Sequence, residues 1–264
     1  MSHGGIRIPA CPCLGIAGVL AFAWLLQAEA LLESNVVYGM YSGLALLMDV
    51  HYPEKPSGYG VIFIAGSGWH APLAYSAAPL KESVQVKLYV KPLAAAGYVV
   101  FAVSHRAAPR FRYPAAVEDV QRAVRFIRHN AGKYGIDPSR IGGVGGSSGG
   151  HLVSMLGTLD GKGDPEDSDP VNLKSAKLQC VVARAAPADF MGMNRGSGSP
   201  ATASFLGMTL LPREAKESAE YRTYREAPES RRRYPSRHGR ASGACVVSVV
   251  VPEVVVVFVH RCPT

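Results

Sequence analysis

Six consecutive residues, Gly145-Gly146-Ser147-Ser148-Gly149-Gly150, carry the clearest chemistry in this chain. A serine becomes a nucleophile when a sharp strand-to-helix turn holds its hydroxyl out of the backbone. The residues two before and two after must then be small, because their Cβ atoms would meet the neighbouring strand and helix. The pattern Gly-x-Ser-x-Gly fits Ser147, flanked by Gly145 and Gly149, and it fits Ser148, flanked by Gly146 and Gly150. Spacing alone leaves both serines open. A phosphate loop would need Gly-Lys-Ser/Thr, which is absent, and the dinucleotide pattern fails because Ser148 stands where its last glycine should be.

A second glycine-rich loop lies upstream. Ile62-Phe63-Ile64-Ala65-Gly66-Ser67-Gly68-Trp69 reads as a buried strand followed by a tight loop. An acyl-transfer site needs backbone N–H donors aimed at the oxyanion of a tetrahedral intermediate, and small residues allow that approach. The N–H of the residue after the nucleophile, Ser148 if Ser147 attacks, supplies another donor. Two such loops in this order are more specific than either alone.

The elements around them alternate. Val36–Tyr41 and Leu44–Tyr52 read as strands around a Ser42-Gly43 turn. Residues 82–96 read as a helix and Tyr98–Ser104 as a strand. Pro114 opens a helix whose Val117, Val120, Val124 and Ile127 share a face. Ile141–Gly146 feeds the serine turn, a helix follows it, and Leu178–Ala183 is a further buried strand. Strand alternating with helix implies an α/β fold with a mostly parallel twisted sheet and helices on both faces.

The motifs resemble the esterase branch of the alpha/beta-hydrolases, the acetyl-esterases and carbohydrate or feruloyl esterases near the hormone-sensitive-lipase-like group. The matching pieces are Met48 to Pro53, Ala65 to Trp69, His105-Arg106, Tyr113 to Val120, Asp137 to Ile141 and Gly145 to Leu152. Ser204-Phe205-Leu206-Gly207 and Tyr224-Arg225-Glu226-Ala227 look like that family's lid region. The resemblance implies Ser147 as nucleophile, with oxyanion donors at Ser67, Gly68 and Ser148. It implies small-molecule or carbohydrate ester substrates and no cofactor. Two departures lie in the first loop. Ala65 stands where the family usually has His, and Ser67 where it has Gly. Neither removes a backbone donor.

The resemblance covers residues 36–227 and then stops. The family's triad Asp, in a Gly-Asp-x-Asp turn, and its late His have no match here. No Asp follows Asp189, and the later histidines are His238 and His260. Composition changes after Ala227. The last 37 residues hold six arginines against two glutamates, half of the net charge of +8, and ten valines lie between Val246 and Val259. The expectation is a shifted reading frame near residue 227, leaving the hydrolase domain (31–227) with its C-terminal strands and helix incomplete and an atypical tail at 228–264. A milder reading makes Val254–His260 the family's last-but-one strand.

Several residues have plainer readings. His151 shares the elbow's own helix and is read as structural. Asp119 is read as a surface or capping carboxylate, and Asp189 as a turn residue. Asp160, Asp164, Asp167 and Asp169 fit no calcium-loop spacing and read as a solvated loop. The arginines between 231 and 240 form no organised basic face, so no nucleic-acid partner is expected. Trp69 either lines the substrate pocket or packs beneath the loop. Cys180, Cys245 and Cys262 suggest neither a disulfide framework nor a metal site. Arg7, the apolar run Leu14–Leu26 and Ala28-Glu29-Ala30 read as a signal peptide over residues 1–30, so the body is expected to be exported without a stable membrane span.

Overall fold

The computed structural model describes residues 31–188, 190, 199–208, 244–251 and 254–261. The expected signal peptide, Asp189, His238 and Tyr224 to Ala227 lie outside them. Eight strands form one sheet: β1 (Leu32–Tyr41), β2 (Leu44–His51), β3 (Gly60–Ile64), β4 (Val99–Val103), β5 (Ile141–Gly146), β6 (Cys180–Arg184), β7 (Ala244–Val251) and β8 (Val254–Arg261). Their order is β1-β2-β4-β3-β5-β6-β8-β7. Among the described residues, four α-helices accompany them, α1 (Val84–Ala95), α2 (Ala115–His129), α3 (Ser148–Thr158) and α4 (Pro200–Leu206), with a 3-10 turn at Leu80–Glu82.

The centre of the sheet is the parallel series β4-β3-β5-β6. Every residue of β3 and β4 is buried, because both of their faces are covered. Alternation along the strands sorts the two layers. Ile62, Ile64, Phe101 and Val103 face the core shared with α2 and α3, through Val120, Val124, Ile127, Leu152 and Val153. Phe63, Ala65, Val100 and Ala102 face the opposite layer, where Val86 and Val90 of α1 pack. This two-sided α/β architecture is the expected fold class.

The outer strands depart from the parallel series. β1 and β2 form an antiparallel hairpin, and β2 runs antiparallel to β4. At the other edge β8 pairs antiparallel with β6, and β7 antiparallel with β8. A hydrolase strand continuing the parallel series would run the other way, so Val254–Arg261 is not placed as that fold's next strand. Two residues separate β7 from β8, too few for the crossover a parallel strand needs. A valine-rich hairpin instead adds to the open edge that β6 presents.

Asp119 corrects a second expectation. It lies on α2 yet is 2% exposed. Its carboxylate accepts the Arg106 backbone N–H at 2.7 Å and the Arg106 Nε–H at 2.9 Å. The Arg106 guanidinium also lies 3.7 Å over the Tyr41 ring. The pair ties the loop after β4 to α2 and to the end of β1. A carboxylate on an amphipathic helix defaults to solvent. Here a buried guanidinium from 13 residues upstream draws it inward.

Candidate active site

β5 ends at Gly146, α3 begins at Ser148, and Ser147 is the single residue between them. Its backbone takes φ 51° and ψ −125°, a region that L residues rarely occupy. Ser147 N–H donates to the Arg184 carbonyl at 2.8 Å, and His151 N–H donates to the Ser147 carbonyl at 3.0 Å. Those bonds from β6 and from the first turn of α3 hold the turn. Ser147 is exposed, whereas Ser148 is buried at 1% exposure. The two serines that the sequence leaves equivalent are thus held differently, one at the strained corner and one inside the helix.

The flanking glycines are demanded by space. A Cβ on Gly145 would lie 2.5 Å from the carbonyl carbon of Gly149. A Cβ on Gly149 would fall on the Ile64 carbonyl oxygen and lie 2.8 Å from the Ala65 carbonyl carbon. Gly149 therefore lets α3 touch the end of β3, which brings the two glycine-rich loops together. A Cβ on Gly66 would stand 3.0 Å from Ser147 Cβ.

Within that first loop, the Ser67 backbone N–H donates to the Ser148 hydroxyl at 2.9 Å. Gly68 takes φ 65° and Trp69 φ 57°, so the chain turns sharply there. Trp69 is 2% exposed and stacks on Phe205 of α4 at 4.7 Å. His151 and Phe190 meet the same indole edge-on, at 5.4 and 5.3 Å. A Cβ on Gly68 would lie 3.1 Å from Ala201 Cβ, which places α4 directly over the loop.

A family profile for BD-FAE matches residues 48–225, more than half of the chain. The chain belongs to the BD-FAE family. Both glycine-rich loops fall inside the matched region, and this is a family of alpha/beta-hydrolase carboxylic ester hydrolases. Among curated proteins, the BD-FAE chain is similar to esterase LipC of Mycobacterium tuberculosis, with 34% identity over 128 residues, 47% of this chain and 29% of that protein. It is also similar to neutral cholesterol ester hydrolase 1 of Mus musculus, with 32% identity over 107 residues, 40% of this chain and 25% of that protein. The chain thus spans less than a third of the length of these two relatives. Among solved structures, it is similar to an acetyl ester-xyloside bifunctional hydrolase from Caldicellulosiruptor lactoaceticus, at TM-score 0.54 and 25% identity, covering 71% of this chain and 68% of that one. A truncated carbohydrate esterase from gut microbiota is similar at TM-score 0.50 and 31% identity, covering 62% and 60%.

His151 and His105 are buried, and each spends its Nδ1 on a hydrogen bond away from Ser147. His151 Nδ1 accepts the Trp69 indole N–H at 3.3 Å, and burial pushes its pKa down to about 3. It is a neutral packing histidine, as its place on the elbow's own helix suggests. His105 meets the Arg106 carbonyl through Nδ1, and burial lowers its pKa as well. Among the described residues, no side chain hydrogen-bonds the Ser147 hydroxyl. The acidic loop spends its carboxylates on local structure. Asp164, Asp167 and Asp169 each accept a backbone N–H two residues on, and Asp169 pairs with Arg122 at 2.7 Å.

One site contact escapes sequence reasoning. Gln85, in the first turn of α1, reaches the Gly66 peptide with its side-chain amide. A glutamine beside apolar helix positions reads as a solvent-facing residue, and only the packing of α1 on β3 and β4 turns it towards the loop.

Proposed function

We propose that the protein is an exported carboxylic-ester hydrolase that cleaves short-chain acyl esters, including carbohydrate-linked ones, through an acyl-enzyme on Ser147. The observation that carries this reading is the exposed Ser147 at φ 51°, with Gly66 of the upstream loop packed against it. Ser147 Oγ attacks the ester carbonyl carbon and the carbonyl oxygen becomes an oxyanion. The backbone N–H groups of Gly68 and Ser148 are the donors assigned to that charge, and Ser148 opens α3, whose N-terminal dipole also favours it. Ser67 N–H joins them when it releases the Ser148 hydroxyl. Collapse of the intermediate expels the alcohol, which carries away the serine's proton. Water then attacks the acyl-serine, releases the acid and returns a proton to Ser147. The carbohydrate ester class is supported by what the similar solved proteins are named for, and export by the N-terminal sequence pattern.

The test is p-nitrophenyl acetate turnover by the full chain and by Ser147→Ala. Release of nitrophenol above background that vanishes in Ser147→Ala supports the reading. Turnover that persists in the variant overturns it.

A specific observation favours a second reading. A serine is a weak nucleophile at neutral pH without an adjacent base. Among the described residues, no histidine pairs with Ser147. The alternative is a catalytically silent hydrolase-like protein that binds its ligand without turning it over. In the same assay it gives no Ser147-dependent release, even as an initial burst.

A further inference from the structure

The loop that carries Ser67 and Gly68 opens on a residue that cannot hydrogen-bond through its side chain. Ala65 is a methyl group buried against α1, in the cluster of Phe63, Val86 and Val90. The next peptide is held from outside the loop. Gln85 Oε1 accepts the Gly66 N–H at 2.8 Å, and Gln85 Nε2 donates to the Gly66 carbonyl at 3.4 Å. One side-chain amide thereby satisfies both backbone groups of Gly66. Val86 and Val90, buried against Phe63, Val100 and Ala102, fix the helix from which Gln85 reaches.

The same amide abuts the elbow. A Cβ on Gly146 would lie 3.4 Å from Gln85 Oε1. A Cβ on Gly66 would lie 2.5 Å from the Gly146 carbonyl oxygen and 3.0 Å from Gln85 Nε2. Gly66 is therefore enclosed between Gly146 and Ser147 on one side and Gln85 on another. Two further ties hold the loop: the Ser67 N–H donates to the Ser148 hydroxyl at 2.9 Å, and the Trp69 carbonyl accepts the Ala108 N–H at 2.8 Å.

We propose that Gln85 is a positioning residue that sets the distance between the oxyanion loop and Ser147 by gripping the Gly66 peptide. This deepens the ester-hydrolase reading above and rests on it. Gln85 touches neither the ester nor the oxyanion. It acts through Gly66, one residue before Ser67 and two before Gly68, so its loss shifts donors whose value depends on placement to within a fraction of an ångström.

Three full-length proteins test this: wild type, Gln85→Met, which keeps the shape and removes both hydrogen bonds, and Gln85→Glu, which keeps an acceptor for Gly66 N–H. With p-nitrophenyl acetate, Gln85→Met loses about ten- to hundredfold in kcat while KM stays within about twofold. Gln85→Glu falls between the two. Independently of turnover, amide hydrogen exchange at Gly66 rises by about tenfold or more in Gln85→Met while the thermal midpoint stays within a few degrees. If wild type turns over through Ser147 and Gln85→Met matches it in kcat and exchange, the positioning role is overturned and the esterase reading stands. If kcat falls only in step with the thermal midpoint, Gln85 is structural and the proposal is likewise overturned. If wild type shows no Ser147-dependent turnover, the esterase reading falls. The positioning role for that reaction falls with it, and the exchange measurement then reports only whether Gln85 holds the loop.

Discussion

Replacing Ser147 by glycine should stabilise this protein, and replacing Ser148 by glycine should destabilise it. Ser147 holds φ 51° and ψ −125°, where a Cβ is strained and glycine is not. Such a residue stores about 1–3 kcal/mol. Glycine gives back about 0.5–1 kcal/mol through the freer unfolded chain. The net gain for Ser147→Gly is about 1 kcal/mol, which raises the thermal midpoint of a domain of this size by about 2–4 °C. Ser148 is different. It is helical, 1% exposed, and its hydroxyl accepts the Ser67 N–H at 2.9 Å. Glycine there weakens the first turn of α3 and strands that N–H, at a cost of about 1–2 kcal/mol. Thermal unfolding of the three proteins, followed by circular dichroism or calorimetry, reads the signs directly. A Ser147→Gly protein no more stable than wild type, or a Ser148→Gly protein more stable than it, would refute the placement of Ser147 at the strained corner.

Other consequences follow from the same contacts. Gly149→Ala drives a methyl group onto the Ile64 carbonyl, a backbone group that cannot move aside, and should lose about 3 kcal/mol or yield no soluble protein, as read by expression and limited proteolysis. Asp119→Ala leaves the buried Arg106 guanidinium without its main partner, and urea denaturation should show a loss of about 3–5 kcal/mol, far above the effect of Asp160→Ala on the exposed loop. His151 is held neutral in the fold, with its pKa near 3 rather than the ordinary 6.5. The unfolded chain therefore takes up a proton below pH 6.5 that the folded chain refuses, so its contribution is complete above that pH and is lost as the pH falls towards 3. Between pH 6.5 and 4.5 the loss is about 2 kcal/mol, and His151→Phe should flatten that part of the stability profile. His105 and His51 are shifted in the same direction by burial, so some acid sensitivity persists in the variant.

The sequence was most legible where geometry leaves few alternatives. The glycines around Ser147 announce a turn too tight for side chains, and β5, α3 and the strand before Gly66 lie where the apolar runs and glycine breaks place them. The valines of α2 at 117, 120 and 124 mark its buried face for the same reason. Choosing between Ser147 and Ser148 needed either a resemblance or a backbone angle, because both satisfy the same spacing. Asp119 and Gln85 were illegible on a different ground. Each is a polar residue on a helix, and its partner, Arg106 or Gly66, is brought to it only by tertiary packing. The direction of β8 was also hidden. A run of valines states that a strand forms, but its orientation is set by the short link to β7 and by the free edge of β6.

In the proposed reaction Ser147 is the residue that the ester acylates. The most direct measurement is mass spectrometry of the full chain quenched in acid soon after mixing with p-nitrophenyl acetate, followed by peptide mapping. One acetyl group per chain is expected, on Ser147, absent from Ser147→Ala and retained in Ser148→Ala. Acetyl on Ser148, or labelling of wild type no greater than that of Ser147→Ala, would contradict it.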